Sequence, residues 1–158
     1  MKKYKNLIIG IAVVAVIGGL FVWPIINDET RGMAALWNDA DVNCISGHGA
    51  PLQQHIHQLL LITVDGVEET INENFGIVRS CMGELHVHGA EPNKIHLESL
   101  EKNKEFTLEQ FFVVYGTAIE REGYTLEAFI NGEPYEGVIA ELTLEDQQSI
   151  ELEYSSIE

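Results

Sequence analysis

The sequence predicts an α+β fold: a mixed β-sheet with one packed helix, preceded by a single N-terminal transmembrane helix. Three observations point there. Leu7–Ile26 is a run of 20 residues without a charge. From His55 onward, short segments alternate apolar and polar residues and are separated by turn-forming pairs, the period-2 signature of strands. Thr107–Gly116 instead has helical spacing, with a cap at each end. A chain of 158 residues accommodates one domain plus an appendage.

The elements follow in order. Residues 1–6 are a basic segment carrying Lys2, Lys3 and Lys5. As a helix, residues 7–26 would be about 30 Å long, the thickness of one hydrocarbon core. A secretory signal peptide is the rival reading of this end. Its apolar region is usually about 7–15 residues and is followed by a small-x-small cleavage site. The run here is longer, ends in Trp23-Pro24, and has no such site close behind it. An uncleaved anchor is therefore expected. Three Lys before the span and one Arg (Arg31) shortly after it orient the N-terminus to the cytoplasm and the rest of the chain outside.

Residues 27–52 read as a juxtamembrane connector, favoured as a tether; the rival is one helical turn over Met33–Trp37 against the bilayer surface or the domain. The domain proper is expected over 53–158. His55–Val64 (HIHQLLLITV) ends at Asp65-Gly66, a hairpin turn pair, and is apolar on both faces at its middle, as in a central strand buried on both sides. Glu84–His88 and Ile95–Ser99 each alternate, and Gly89–Asn93 between them is loop chemistry. In TLEQFFVVYG, Thr107 is the N-cap and Gly116 the C-cap, while Leu108, Phe111, Phe112 and Tyr115 form an apolar face. Tyr124–Ile130 is a strand, Asn131-Gly132 a turn, and Ser149–Tyr154 a last alternating strand.

Composition narrows the function classes. With 46% hydrophobic and 22% charged residues, the chain is neither disordered nor a polytopic membrane protein. Every acid lies at Asp28 or beyond, so the chain after residue 27 carries six cations against 25 acids, a net −19. Such a domain repels phosphate, which excludes nucleic acid as a partner. No nucleophile elbow, P-loop or dinucleotide-binding motif is present.

The histidines are the informative feature. His55-x-His57, His86-x-His88 and His96-x-Glu98 are three i, i+2 pairs in segments read as strands, so each pair projects from one face. Two hairpin registers keep the set together. One places His88 opposite His96 and His86 opposite Glu98; the other places His86 opposite His96. In either, Cβ atoms about 4.5–5.5 Å apart across the strands suit imidazoles ligating one ion at about 2.0–2.1 Å. If the His55 strand is a neighbour, five imidazoles converge. The apolar partners Leu85, Val87, Ile95 and Leu97 must face the core, which leaves the histidines at a sheet surface or edge. The competing role is a pH-sensitive or merely solvated surface, since His titrates near about 6.5. His48, in a glycine-flanked loop, is not counted as a ligand.

Cys44 and Cys81 are the only cysteines. An even count outside the membrane favours a disulfide, and thiolate ligation of the same ion is the alternative because Cys81 is five residues from His86.

Two resemblances add to this. The order of elements resembles the β-grasp arrangement, and YTLEAFINGEPYEGVIAELTLEDQQSIELEY is similar to the second half of a ubiquitin-like fold and to the related domain at the end of cobalamin-carrier proteins. A β-sandwich of cupredoxin type is the competitor, disfavoured by the aromatic face of the helix. In addition, Cys44, His55-Ile56-His57-x-x-Leu60, Val64-Asp65-Gly66, Gly76-Ile77, Cys81, His86-Val87-His88, Ile95-His96-Leu97-Glu98-Ser99 and Phe106-Thr107-Leu108-x-x-Phe111-Phe112-x-x-Tyr115-Gly116 occur in sequence. Over roughly residues 44–153 this resembles a family of exported archaeal and bacterial domains with the pattern C…HxHxxL…G…C…HTHD…IHxE…FTLxxFFxxWG. Val87, Gly89 and Tyr115 stand where that pattern has Thr, Asp and Trp. The missing Asp removes one partner for a ligating histidine. The resemblance implies the site and no particular chemistry.

The expected function is binding of a transition metal, copper or zinc, by His55, His57, His86, His88 and His96, with Glu98 as a ligand or as an acceptor behind one. Imidazole-rich sites suit those ions better than magnesium or calcium. A small metal-dependent enzyme, with His96 and Glu98 as acid/base groups, is one alternative. A structural or interaction subunit of a membrane or surface assembly is the other.

Overall fold

The turn pairs and caps act where the sequence puts them. In the computed structural model, which describes residues 37–45, 51–78 and 81–157, the chain is a mixed α+β structure, mostly sheet, with one eight-residue helix. The expectations for residues 7–26, for His48 and for most of the connector lie outside the described residues. Among the described residues, no helix is long and apolar enough to cross a membrane.

The strands are β1 (Cys44–Ile45), β2 (Gln54–Val64), β3 (Val67–Glu69), β4 (Ile77–Val78), β5 (Cys81–Gly83), β6 (Leu85–Val87), β7 (Lys94–Ser99), β8 (Tyr124–Ile130), β9 (Glu133–Pro134) and β10 (Ser149–Ser156); helix α1 is Leu108–Tyr115. Seven strands form one sheet in the order β6-β7-β2-β10-β8-β9, with β3 paired to the far end of β2. At its centre β2 and β10 run parallel, Leu60 opposite Ile150 and Ile62 opposite Leu152. The other pairs in this sheet are antiparallel. The small sheet β1-β5-β4 adjoins it in sequence.

Local chemistry explains the turns. Asp65 and Gly66 have φ of 49° and 77°, and Asn131 and Gly132 have 54° and 82°, the two positive angles that a tight two-residue hairpin needs. Thr107 caps α1: its hydroxyl accepts from Gln110 N–H while the Gln110 side chain accepts from Thr107 N–H.

One face of the larger sheet is the core. Leu85, Val87, Ile95, Leu97, Leu60, Ile62, Ile150 and Leu152 are fully buried, and Leu108, Phe111 and Phe112 from α1 join the same cluster. Each such side chain contributes about 1.5–3 kcal/mol by leaving water. Phe111 stands edge-on to Phe75, ring centres 5.1 Å apart, which ties α1 to the chain beside β6.

Two expectations are corrected. β2 is central but not buried on both faces: Leu60 and Ile62 are enclosed, whereas Leu59 on the other face is 51% exposed. Its apolar run extends past what the core needs. Residues 37–45 are also not a tether, because Trp37, Val42 and Ile45 are buried in the domain. The fixing group is Glu84, itself buried. Its carboxylate accepts from Asn43 N–H (2.8 Å), Ser99 Oγ (2.6 Å) and Lys104 Nζ (2.8 Å). A buried carboxylate persists only when paired and hydrogen-bonded in this way.

Candidate metal centre

The second of the two expected registers is the one adopted: His86 lies opposite His96. On the other side of β7, His57 also lies opposite His96, and His55 lies opposite Glu98. Strand alternation therefore puts His55, His57, His86 and His96 on the face of the sheet turned away from α1, and His88, one residue past β6, packs its ring edge-on against His96 on the same side. His96 occupies the middle strand, with one His pair on each side. Ring centres are 4.5 Å from His96 for both His57 and His88, 5.4 Å for His86 and 6.0 Å for His55.

The surroundings hold these rings in order. Gly83 C=O lies 3.0 Å from His86 Nδ1, and a carbonyl only accepts, so Nδ1 carries the proton. The lone pair of His86 Nε2 then faces the cluster, 3.2 Å from His88 Nε2. Two nitrogens bound tetrahedrally to one ion at about 2.0–2.1 Å would be about 3.3 Å apart. A second-sphere hydrogen bond that fixes the tautomer is the usual arrangement behind a ligating histidine. Glu98 places a carboxylate beside the cluster, Oε1 standing 3.3 Å from His55 Nε2.

Three ring nitrogens from His55, His57 and His96 lie within 4.8 Å of one another, and so do three from His86, His88 and His96. Glu98 joins neither set. Cys44 and Cys81 form a disulfide, which removes them as thiolate ligands. The bond links β1 to β5, the strand that ends at Gly83, so it braces the carbonyl that orients His86.

The site is deeper than expected. His86 is fully buried, His96 is 6% and Glu98 7% exposed, while His57 and His88 are half-buried and His55 opens to solvent. The cluster thus runs from the surface inward. Burial, reinforced by the charge His88 and His57 would carry, pushes His96 down to about 4. His57 is also lowered, mainly by burial and then by His55 and Lys94. Both are neutral at pH 7, the form that ligates metal.

Among the described residues, neither ring nitrogen of His96 has a hydrogen-bond partner. Glu91 Oε2 stands 3.6 Å from its Nε2, beyond hydrogen-bond length. A buried polar group left in that state costs about 1–3 kcal/mol.

The sequence did not single out Gly83 or Glu91, and it marked Gly76 only as part of the resembled pattern. Gly83 acts through its carbonyl, which side-chain patterning cannot reveal. A Cβ at Gly76 would come 2.4 Å from Leu85 C=O, so glycine is needed for the chain to pass beside β6. Glu73 Oε2 would lie 3.3 Å from a Cβ at Gly89, so a carboxylate is present near the position where the resembled pattern has Asp.

Comparison with protein-family models, curated proteins and solved structures finds no match to the chain.

Proposed function

We propose that the chain is a membrane-anchored, extracytoplasmic β-grasp domain that binds copper or zinc through the imidazoles of His55, His57, His86, His88 and His96. The observation that carries this reading is His96, enclosed by four other imidazoles with both ring nitrogens unbonded. A purely structural core histidine is ordinarily hydrogen-bonded. A late first-row ion satisfies the ring instead, and nitrogen donors favour copper or zinc over magnesium or calcium.

The order β7-β2-β10-β8-β9, with a parallel central pair and α1 between β7 and β8, supports the β-grasp assignment. The uncharged run at 7–26 supports the anchor, and the disulfide accords with an oxidising compartment. The pattern of exported archaeal and bacterial domains belongs to the same reading. Three protein nitrogens leave one position of a tetrahedral ion open, which suits exchange and delivery of the ion as cargo and also permits catalysis.

A specific observation favours a second reading, an interaction subunit of a membrane or surface assembly. A cleft of about 1170 Å³ lies between α1 and β8, lined by Phe112, Val113, Leu126, Tyr135 and Val138 among others, with no histidine.

Titration calorimetry of the full chain in detergent with zinc or copper(II) tests the metal reading. Binding in the micromolar range or tighter is expected. Replacing His57 and His88 by Ala takes one ligand from each set and should weaken it at least tenfold. Millimolar binding that ignores the substitutions would leave only the acidic surface.

A further inference from the structure

The geometry points to two metal ions rather than one, bridged by the ring of His96. This deepens the proposed function and rests on it. The ligands come from three adjacent strands, with His55 and His57 on β2, His96 on β7, His86 on β6 and His88 just past the end of β6. Neighbouring strands are about 4.8 Å apart, so the outer two backbones stand roughly 9–10 Å from each other. Nitrogens bound to one ion at about 2.0–2.1 Å can be no more than about 4.2 Å apart. Each set of three whose nitrogens lie within 4.8 Å of one another, so that sub-ångström side-chain shifts bring them onto a common ion, draws its pair from one side only, and the two sets share only His96.

The state of His96 fits the shared position. A histidine serving one ion uses one nitrogen and donates the other N–H to a carboxylate, carbonyl or water. His86 follows that rule through Gly83 C=O. His96 does not: it is 6% exposed, and among the described residues neither Nδ1 nor Nε2 has a hydrogen-bond partner. Between two ions, each nitrogen acquires one. The proton balance is simple. A neutral imidazole holds one N–H; as the second ion binds, that N–H bond breaks, the proton leaves to solvent, and a nitrogen–metal bond takes its place. Each ion then has three protein nitrogens and an open fourth position.

The test uses the full chain in detergent, saturated with copper(II) and freed of excess by gel filtration. Elemental analysis should find two coppers per chain. Electron paramagnetic resonance should account for far fewer spins than coppers, because a shared imidazolate couples the two spins antiferromagnetically. His55→Ala with His57→Ala changes an exposed and a half-buried residue, so folding should survive. That variant should retain one copper with full signal intensity. One copper per chain in the unaltered protein overturns the bridge and leaves a single-ion site standing. Two coppers at full intensity also overturn it, since the ions would then be independent. Failure to retain copper at all overturns the metal reading itself.

Discussion

The two halves of the larger sheet solve the same packing problem differently on the face away from α1. Over β10 and β8 that face carries Ser149, Glu151, Glu153, Thr125 and Glu127, all exposed or half-exposed, opposite the buried Ile150, Leu152 and Tyr154. This is the apolar-in, polar-out alternation of a sheet with one wet side. Over β6 and β7 the corresponding residues are His86, His96 and Glu98, and they are buried nearly as fully as Leu85 and Leu97 behind them. One half follows the rule for stability. The other encloses polar rings and leaves one without a hydrogen bond, the kind of local departure that functional sites show.

The largest test concerns the apolar core face that lies behind both halves. Phe111→Ala should destabilise the protein by about 3–5 kcal/mol in a denaturant titration, since it empties a fully buried ring site. The metal stoichiometry of the folded fraction should not change. If stoichiometry falls with stability, the core face and the histidine face are not separable.

Reducing the disulfide comes next. Closing a separation of 37 residues is worth roughly 3–4 kcal/mol in the chain-entropy model. Unlike Phe111→Ala, reduction should also weaken metal binding, because β5 ends at the Gly83 carbonyl that orients His86. Calorimetry with and without reductant separates the two effects.

Acid should act on the histidine half. His96 drops from 6.5 to about 4 on folding, so the unfolded chain binds the extra proton between those values. Stability from this group is full above pH 6.5 and is lost as pH falls toward 4, by roughly 2–3 kcal/mol in the metal-free protein. His96→Leu should remove that slope in a pH series of unfolding curves. It should also raise metal-free stability at pH 7 by about 1–2 kcal/mol, because an unsatisfied polar group is replaced by an apolar one. A less stable variant would mean that His96 makes bonds contributing to the fold.

The smallest effect belongs on the wet half. Glu127→Gln and Glu153→Gln should each change stability by less than about 0.5 kcal/mol and leave metal affinity unaltered.

What the sequence made legible was local. The Thr107 cap, the Asp65-Gly66 turn and the pairing of Cys44 with Cys81 rest on neighbouring residues or on a count of two. The His-bearing faces were legible because period 2 forces residues i and i+2 together. The register was not, since either alignment keeps the histidines on one face and only long-range packing selects His86 opposite His96. Nor was the single-sided burial of β2, because Leu59 and Leu61 look like core whether or not anything covers them. Trp37, Val42 and Ile45 were missed because their spacing has no period, and their burial depends on the distant Glu84 and Lys104.

X-ray absorption at the zinc edge of the zinc-loaded full chain tests the central claim most directly, because it reads the donor atoms themselves. A shell of nitrogen at about 2.0–2.1 Å, with the outer-shell scattering of imidazole rings, is the predicted result. A shell of oxygen alone, without imidazole scattering, would place the ion on the acidic surface and contradict the assignment of the histidines.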